Sequence, residues 1–167
     1  SGRTTLNGEG LQHQDGHSLL FLSAIPSCQA YDTAFRYEIA VIIQDGLRRM
    51  YQDDEDIYYY LTLGNENYEM PAMPTGAEEG ILKGMYRYSK GVKKTHKAHL
   101  LGSGSMMREA IKAQTILEDY DVSADVWGVT SYKRLREDAL EAQHWNILNP
   151  TKNAKQSYVE QTLLSEK

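Results

Sequence analysis

A single cysteine, Cys28, stands among 167 residues, so no internal disulfide can form. It follows Ile25-Pro26 in an apolar neighbourhood, where a buried, structural thiol is expected. Long apolar runs are also missing. The stretch from Leu19 to Ile25 is already broken by Ser23, far short of the roughly 18 apolar residues that span a bilayer. The N-terminus lacks the charged-then-apolar pattern of a secretory signal, so a cytoplasmic location and no membrane partner are expected. Positive charge is scarce: 18 basic against 23 acidic residues give a net charge of −5, with both signs intermixed. A nucleic-acid partner, which would call for a clustered basic face, is not expected. The length suffices for one ordinary domain, or two partial ones, with a sizeable core.

Several signatures are incomplete. Gly102-Ser103-Gly104-Ser105 has the first two glycines of a dinucleotide fingerprint, but Met107 stands in place of the third and no P-loop lysine follows. A tight strand-to-helix connection, with backbone N–H groups at a helix start, is the simpler reading. Asp53-Asp54-Glu55-Asp56 lacks the alternating ligand-and-glycine plan of a calcium loop and reads as a solvated turn. Lys90-Gly91-Val92-Lys93-Lys94-Thr95-His96-Lys97 could invite a phosphate, yet reads as a solubilising surface hairpin or loop, with His99 alternating outward on a strand.

The most unusual stretch runs from Leu6 to Ser18. It holds two imidazoles, two carboxylates and three glycines in thirteen residues. Gly8, Gly10 and Gly16 free the backbone, and His13 can exchange a proton near neutral pH. Glu9, His13 and His17 fall at i, i+4 and i+8, one face of a helix. Each interior glycine costs about 1 kcal/mol relative to alanine in a helix, so a helical His-x3-His metal site is disfavoured. Two readings stand: a catalytic loop, or a polar surface loop whose histidines face solvent.

Along the rest of the chain, strand and helix alternate. Residues 27–31 read as a strand, and Asp32 is placed to cap a helix carrying Phe35, Ile39, Ile42, Ile43 and Met50 to about Tyr51. Residues 57–63 read as a strand whose consecutive tyrosines, Tyr58, Tyr59 and Tyr60, face alternate sides and pack the core. Pro71 and Pro74 stiffen an extended connection and mark a boundary. A short helix over 77–83, a strand over 98–101, a helix over 106–120 and a strand over 124–130 follow. Ser131 then caps a helix carrying Leu135 and Leu140. This alternation predicts an α/β fold with a largely parallel sheet in each part, and sites beyond the carboxyl ends of strands.

The run Arg3-Thr4-Thr5-Leu6-Asn7-Gly8-Glu9-Gly10-Leu11-Gln12-His13, with Asp15-Gly16-His17-Ser18, Ile25-Pro26-Ser27-Cys28 and Tyr31-Asp32, resembles the homodimeric bacterial type of pyruvate dehydrogenase, a thiamine-diphosphate-dependent decarboxylase. Asn65-Glu66-Asn67-Tyr68, Met70-Pro71-Ala72-Met73-Pro74, Gly76-Ala77-Glu78-Glu79-Gly80, Leu100 to Ser105, and Trp145-Asn146 with Pro150 continue the resemblance in order, over nearly the whole chain. It implies the C-terminal part of a transketolase-like pyrimidine-binding domain over 1–70, a linker over 71–76, and the first part of a transketolase-like C-terminal domain over 77–167.

Family members are several times longer. Their cofactor is anchored through magnesium by a Gly-Asp-Gly motif that does not occur here, and the glutamate that activates the thiamine ring lies upstream of the matched region. The resemblance therefore implies a fragment that binds no thiamine diphosphate or magnesium by itself, with no metal or cofactor ligand among its own residues. In the complete enzyme it implies decarboxylation of pyruvate after addition to the thiamine C2 carbanion. Reductive acetylation of the lipoyl group on a dihydrolipoamide acetyltransferase then follows, in a dimer with a second identical subunit. His13 then matches an active-site histidine, Glu9 a glutamate that orients it, and His17 a substrate-contacting position in wider transketolase relatives. The alternatives are another transketolase-superfamily enzyme, although Arg36, Arg48, Arg49 and Arg108 match no sugar-phosphate motif, or a non-catalytic interaction module.

Overall fold

The structure, a computed structural model, describes residues 16–64 and 66–164. After the short helix α1 (Ser18–Leu22), β1 (Cys28–Asp32) enters the interior with every residue buried. Helix α2 (Arg36–Leu47) and a π-helical turn at Arg48–Gln52 carry the chain to β2 (Tyr58–Thr62), which pairs parallel with β1 from Cys28↔Tyr58 to Asp32↔Thr62. Helix α3 (Glu78–Lys83) leads into β3 (Met85–Ser89). Next come β4 (His96–Gly102), a 3-10 turn at Gly104–Met106, α4 (Met107–Glu118), β5 (Val122–Val129), α5 (Tyr132–Leu148) and α6 (Tyr158–Leu164). The second sheet has the order β3-β5-β4.

The parallel expectation holds for β1 with β2 and for β4 with β5, each pair joined by a helical crossover. It fails for β3, which runs antiparallel to β5 at the sheet edge. Because β5 occupies the place between β3 and β4, the lysine-bearing link cannot be a hairpin. It is a loop to Thr95, and its last residues, His96 and Lys97, begin β4. The loop is tethered where Asp125 Oδ1 accepts from the Gly91 N–H at 2.7 Å.

Asp32 does not cap α2. It is the last residue of β1, and its carboxylate is engaged by two hydroxyls. The capping role falls to Glu38, whose Oε2 accepts from the N–H groups of Ala34 (2.6 Å) and Phe35 (3.1 Å), two donors outside the helix ladder. Ser131 does cap α5: its Oγ accepts from Arg134 N–H at 3.2 Å and donates to the carbonyl of Ala30 at 2.6 Å. Ser131→Ala removes both bonds and should lower stability by about 1–2 kcal/mol. This would be seen as a lower urea midpoint at unchanged slope; an unmoved midpoint would count against the cap.

Residues on both sides of the proline pair share one core. Tyr31, Ile42, Ala77, Ile81 and Tyr86 form a buried cluster from β1, α2, α3 and β3. Tyr59 extends it by stacking on Tyr31 at 6.1 Å between ring centroids, the packing role expected of it, whereas Tyr58, expected to pack likewise, is exposed. One backbone bond and one side-chain bond stitch the same seam: Asp32 N–H donates to Thr130 O at 2.7 Å, and Thr130 Oγ1 donates to Ile81 O at 2.6 Å. Cys28 is fully buried, as expected for a structural thiol.

Candidate functional site

Of the three predicted site residues, Glu9 and His13 lie outside the described residues. His17 is exposed at the N-cap of α1, where its carbonyl accepts from Phe21 N–H at 2.9 Å and its ring lies 6.1 Å from that of Phe21. This position precedes β1.

The carboxyl ends of β1, β2 and β4 converge elsewhere, on a junction lined by Asp32, Thr33, Thr62, Glu66, Tyr68 and Arg108. Asp32, 4% exposed, accepts from Thr62 Oγ1 and from Ser103 Oγ at 2.7 Å, joining three strand ends through one carboxylate. Gly104 adopts φ +50°, and a Cβ there would stand 2.8 Å from Asp32 Oδ1. Glycine is thus the residue that lets the strand-to-helix turn close over the carboxylate. Arg108 reaches back from α4 to Glu66 at 2.5 Å and lies 4.5 Å over the Tyr68 ring, while the Tyr68 hydroxyl donates to Ala34 O. Burial raises the Tyr68 hydroxyl pKa above its ordinary value. The cavity at this junction is about 20 Å³, room for a single water. The Asp32 carboxylate fastens the strand ends together.

The acidic turn is exposed, as expected, and two of its four acids, Asp53 and Glu55, are paired with arginines. Arg48 pairs with Asp45 (2.8 Å) and with Asp53, and Arg49 pairs with Glu55 at 2.6 Å. Hydrogen bonding to Arg49 holds the Glu55 carboxyl below its usual range. His99 is exposed on β4 as expected and accepts from Trp127 Nε1 at 3.0 Å. Among the described residues, no group of three His, Cys, Asp or Glu side chains is placed to hold a metal ion.

A second polar cluster escaped the sequence reading. Glu38, 1% exposed, accepts from the Tyr86 hydroxyl at 2.6 Å, and the Tyr86 and Tyr37 hydroxyls lie 2.6 Å apart. Burial is the largest influence on all three groups and raises the pKa of each.

Two family models cover the chain: the pyruvate dehydrogenase E1 component middle domain over residues 1–71, and the transketolase-like C-terminal domain over residues 84–167. Pyruvate dehydrogenase E1 components of Cupriavidus necator and Pseudomonas aeruginosa are 51% and 53% identical over 99% and 98% of the chain. That of Escherichia coli is 51% identical over 98%. The chain belongs to the pyruvate dehydrogenase E1 family. It spans about 19% of the length of these curated relatives.

Among solved structures, this E1-family chain is similar to a Pichia stipitis transketolase in complex with fructose-6-phosphate. The TM-score is 0.58 at 18% identity, covering 77% of this chain and 18% of that one. A second complex of that transketolase, with sedoheptulose-7-phosphate, gives 0.57. These likenesses establish a shared transketolase-type fold and no more. The E1-family seam between the two matched segments is the one built by Tyr31, Ile81, Tyr86 and Thr130, and no helix in the described residues is long and apolar enough to cross a membrane.

Proposed function

We propose that the chain is part of a thiamine-diphosphate-dependent E1 component that decarboxylates pyruvate and transfers the acetyl group to the lipoyl group of a dihydrolipoamide acetyltransferase. One observation carries this reading: identity of 51–53% with E1 components extends over 98–99% of the chain, the glycine-rich histidine stretch included. The working protein is a cytoplasmic dimer of identical subunits. Residues 1–70 complete its pyrimidine-binding domain, 71–76 link, and 77–167 open its C-terminal domain.

The cofactor supplies the nucleophilic carbon when bound. The Gly-Asp-Gly motif that holds its magnesium-diphosphate end in the resembled family does not occur in this sequence. We therefore assign its anchoring to parts of the E1 component beyond this chain. What this chain contributes is proton handling and donation. His13 holds a proton near neutral pH and offers it to an oxygen on which negative charge develops. Glu9 orients that ring, and His17 reaches toward substrate.

Two measurements test the reading. The full-length protein should turn over pyruvate and leave fructose-6-phosphate untouched; the reverse preference would overturn the assignment. By calorimetry, the 167-residue chain alone should show no saturable, magnesium-dependent binding of thiamine diphosphate. Saturable binding would show that the anchoring groups lie within it.

A further inference from the structure

The Glu38 cluster sits where the two matched segments meet, with Glu38 and Tyr37 on α2 and Tyr86 on β3. The seat of Tyr86 is built for it. A Cβ at Gly128 would stand 2.5 Å from its ring, and one at Gly80 would stand 2.8 Å from its own Cβ. The Glu38 carboxylate has three donors: two backbone N–H groups on Oε2 and the Tyr86 hydroxyl on Oε1. That set satisfies an ionised carboxylate.

A proton arriving at Glu38 has one place to go. Oε2 is covered by two N–H donors, so the proton settles on Oε1 and is donated to the Tyr86 oxygen. Tyr86 then donates to Tyr37, an allowed direction because either hydroxyl can be the donor. Tyr37, half-buried, must then direct its own proton away from Tyr86. Both charge states keep a continuous hydrogen-bonded chain, and only its direction reverses.

We propose that Glu38, Tyr86 and Tyr37 form a reversible proton relay that fastens α2 to β3, making the docking of the two segments dependent on pH.

The groups facing the relay set its sign. From β1, Asp32 opposes a second negative charge. From β3, Tyr88 bears on Tyr37. Tyr68 feels Glu38 too, and carries Arg108 over its ring with Glu66 beyond. α3 and β5 contribute Gly80, Ile81 and Gly128 to the surroundings. Burial outweighs the three hydrogen bonds and lifts the Glu38 pKa above its ordinary 4.5. A raised value means the folded state prefers the protonated carboxyl. Its contribution to stability is therefore complete below the unfolded value and is lost as pH rises through the folded one.

Infrared difference titration of the intact protein, labelled with 13C-glutamate, tests this. The wild type should show a protonated-carboxyl band titrating with a midpoint above 4.5, absent in Glu38→Gln. Tyr86→Phe, which removes a donor to the ionised form, should move that midpoint higher. The urea midpoint of the wild type should fall relative to Glu38→Gln as pH rises through the same window. A band titrating at or below 4.5, or a wild-type minus Glu38→Gln difference that ignores pH, would overturn the relay. Should Glu38→Gln fail to fold, the Tyr86→Phe shift decides the matter alone: an unmoved or lowered midpoint refutes it.

Discussion

Replacing His13 with alanine in the full-length protein should lower kcat for pyruvate by about 10²–10⁴-fold, the range for loss of a positioned acid–base group. The circular dichroism spectrum should not change. The expectation rests on the E1 assignment and on the composition of the stretch. In the sequence His13 stands among Gly8, Gly10 and Gly16, residue types that free the backbone, and Glu9 is the group proposed to set its tautomer. The same substitution should remove the pH-rate limb with a midpoint near neutrality. His13→Gln separates the two roles assigned to the ring, since a carboxamide keeps a hydrogen-bond donor but cannot exchange a proton. Partial recovery by glutamine would mark stabilisation of a developing anion as the larger share, and none would mark proton transfer. Turnover unchanged in His13→Ala would remove the residue from the mechanism.

Local signals served the fold well wherever the deciding interactions were local. Ser131 was readable as a cap because its acceptor bond reaches only three residues, to Arg134. β2 was readable as a run rich in aromatic residues, β5 from Val126 and Val129, and α2 from the recurrence of Phe35, Ile39 and Ile42. β3 was missed because it mixes buried Met85 and Tyr86 with exposed Arg87, a pattern without period. α6 could have been found: Ser157 and Glu160 cap each other reciprocally, with Ser157 N–H donating to Glu160 at 2.8 Å, in the spacing of a capping box.

Long-range partners explain the misreadings at the junctions. Asp32 has the composition of a helix cap, but the hydroxyls that claim its carboxylate come from Thr62 and Ser103, 30 and 71 residues away. Glu38 looks like a first-turn acid on an ordinary helix, and only the fold brings Tyr86 to it across 48 residues. The histidine stretch was legible as a motif and its family was recovered from it. The placement of Glu9 and His13 falls outside the described residues, so the motif, together with the E1 relatives, is what supports their roles.

Gly84→Ala should be the most destabilising single-methyl change in the described chain. Gly84 ends α3 at φ +105°, a backbone conformation that L side chains rarely adopt, and an added Cβ would stand 2.5 Å from Ser131 O. Its neighbour is backbone and cannot rotate away. The conformational cost of about 1–2 kcal/mol and the overpacking cost of about 1–3 kcal/mol together give a loss of about 2–5 kcal/mol. Relief would require α5 to retreat, and Gly84 O accepts from Thr130 N–H (2.9 Å) and Ser131 N–H (3.1 Å), so retreat breaks the bonds that position the α5 cap. Gly76 supplies the control. It too has positive φ, +75°, but an added Cβ meets nothing within 4 Å. Gly76→Ala should therefore cost only the conformational part, about 1–2 kcal/mol. Urea midpoints of the two variants at equal slope measure the difference, which is the cost of the contacts with Ser131 O, Leu135 and Arg134. Equal losses would show that the α3-to-β3 turn yields and that the seam is softer than its geometry. Because Gly84 and Ser131 touch, Gly84→Ala and Ser131→Ala should also combine to less than their sum, the first having already disturbed the cap that the second removes.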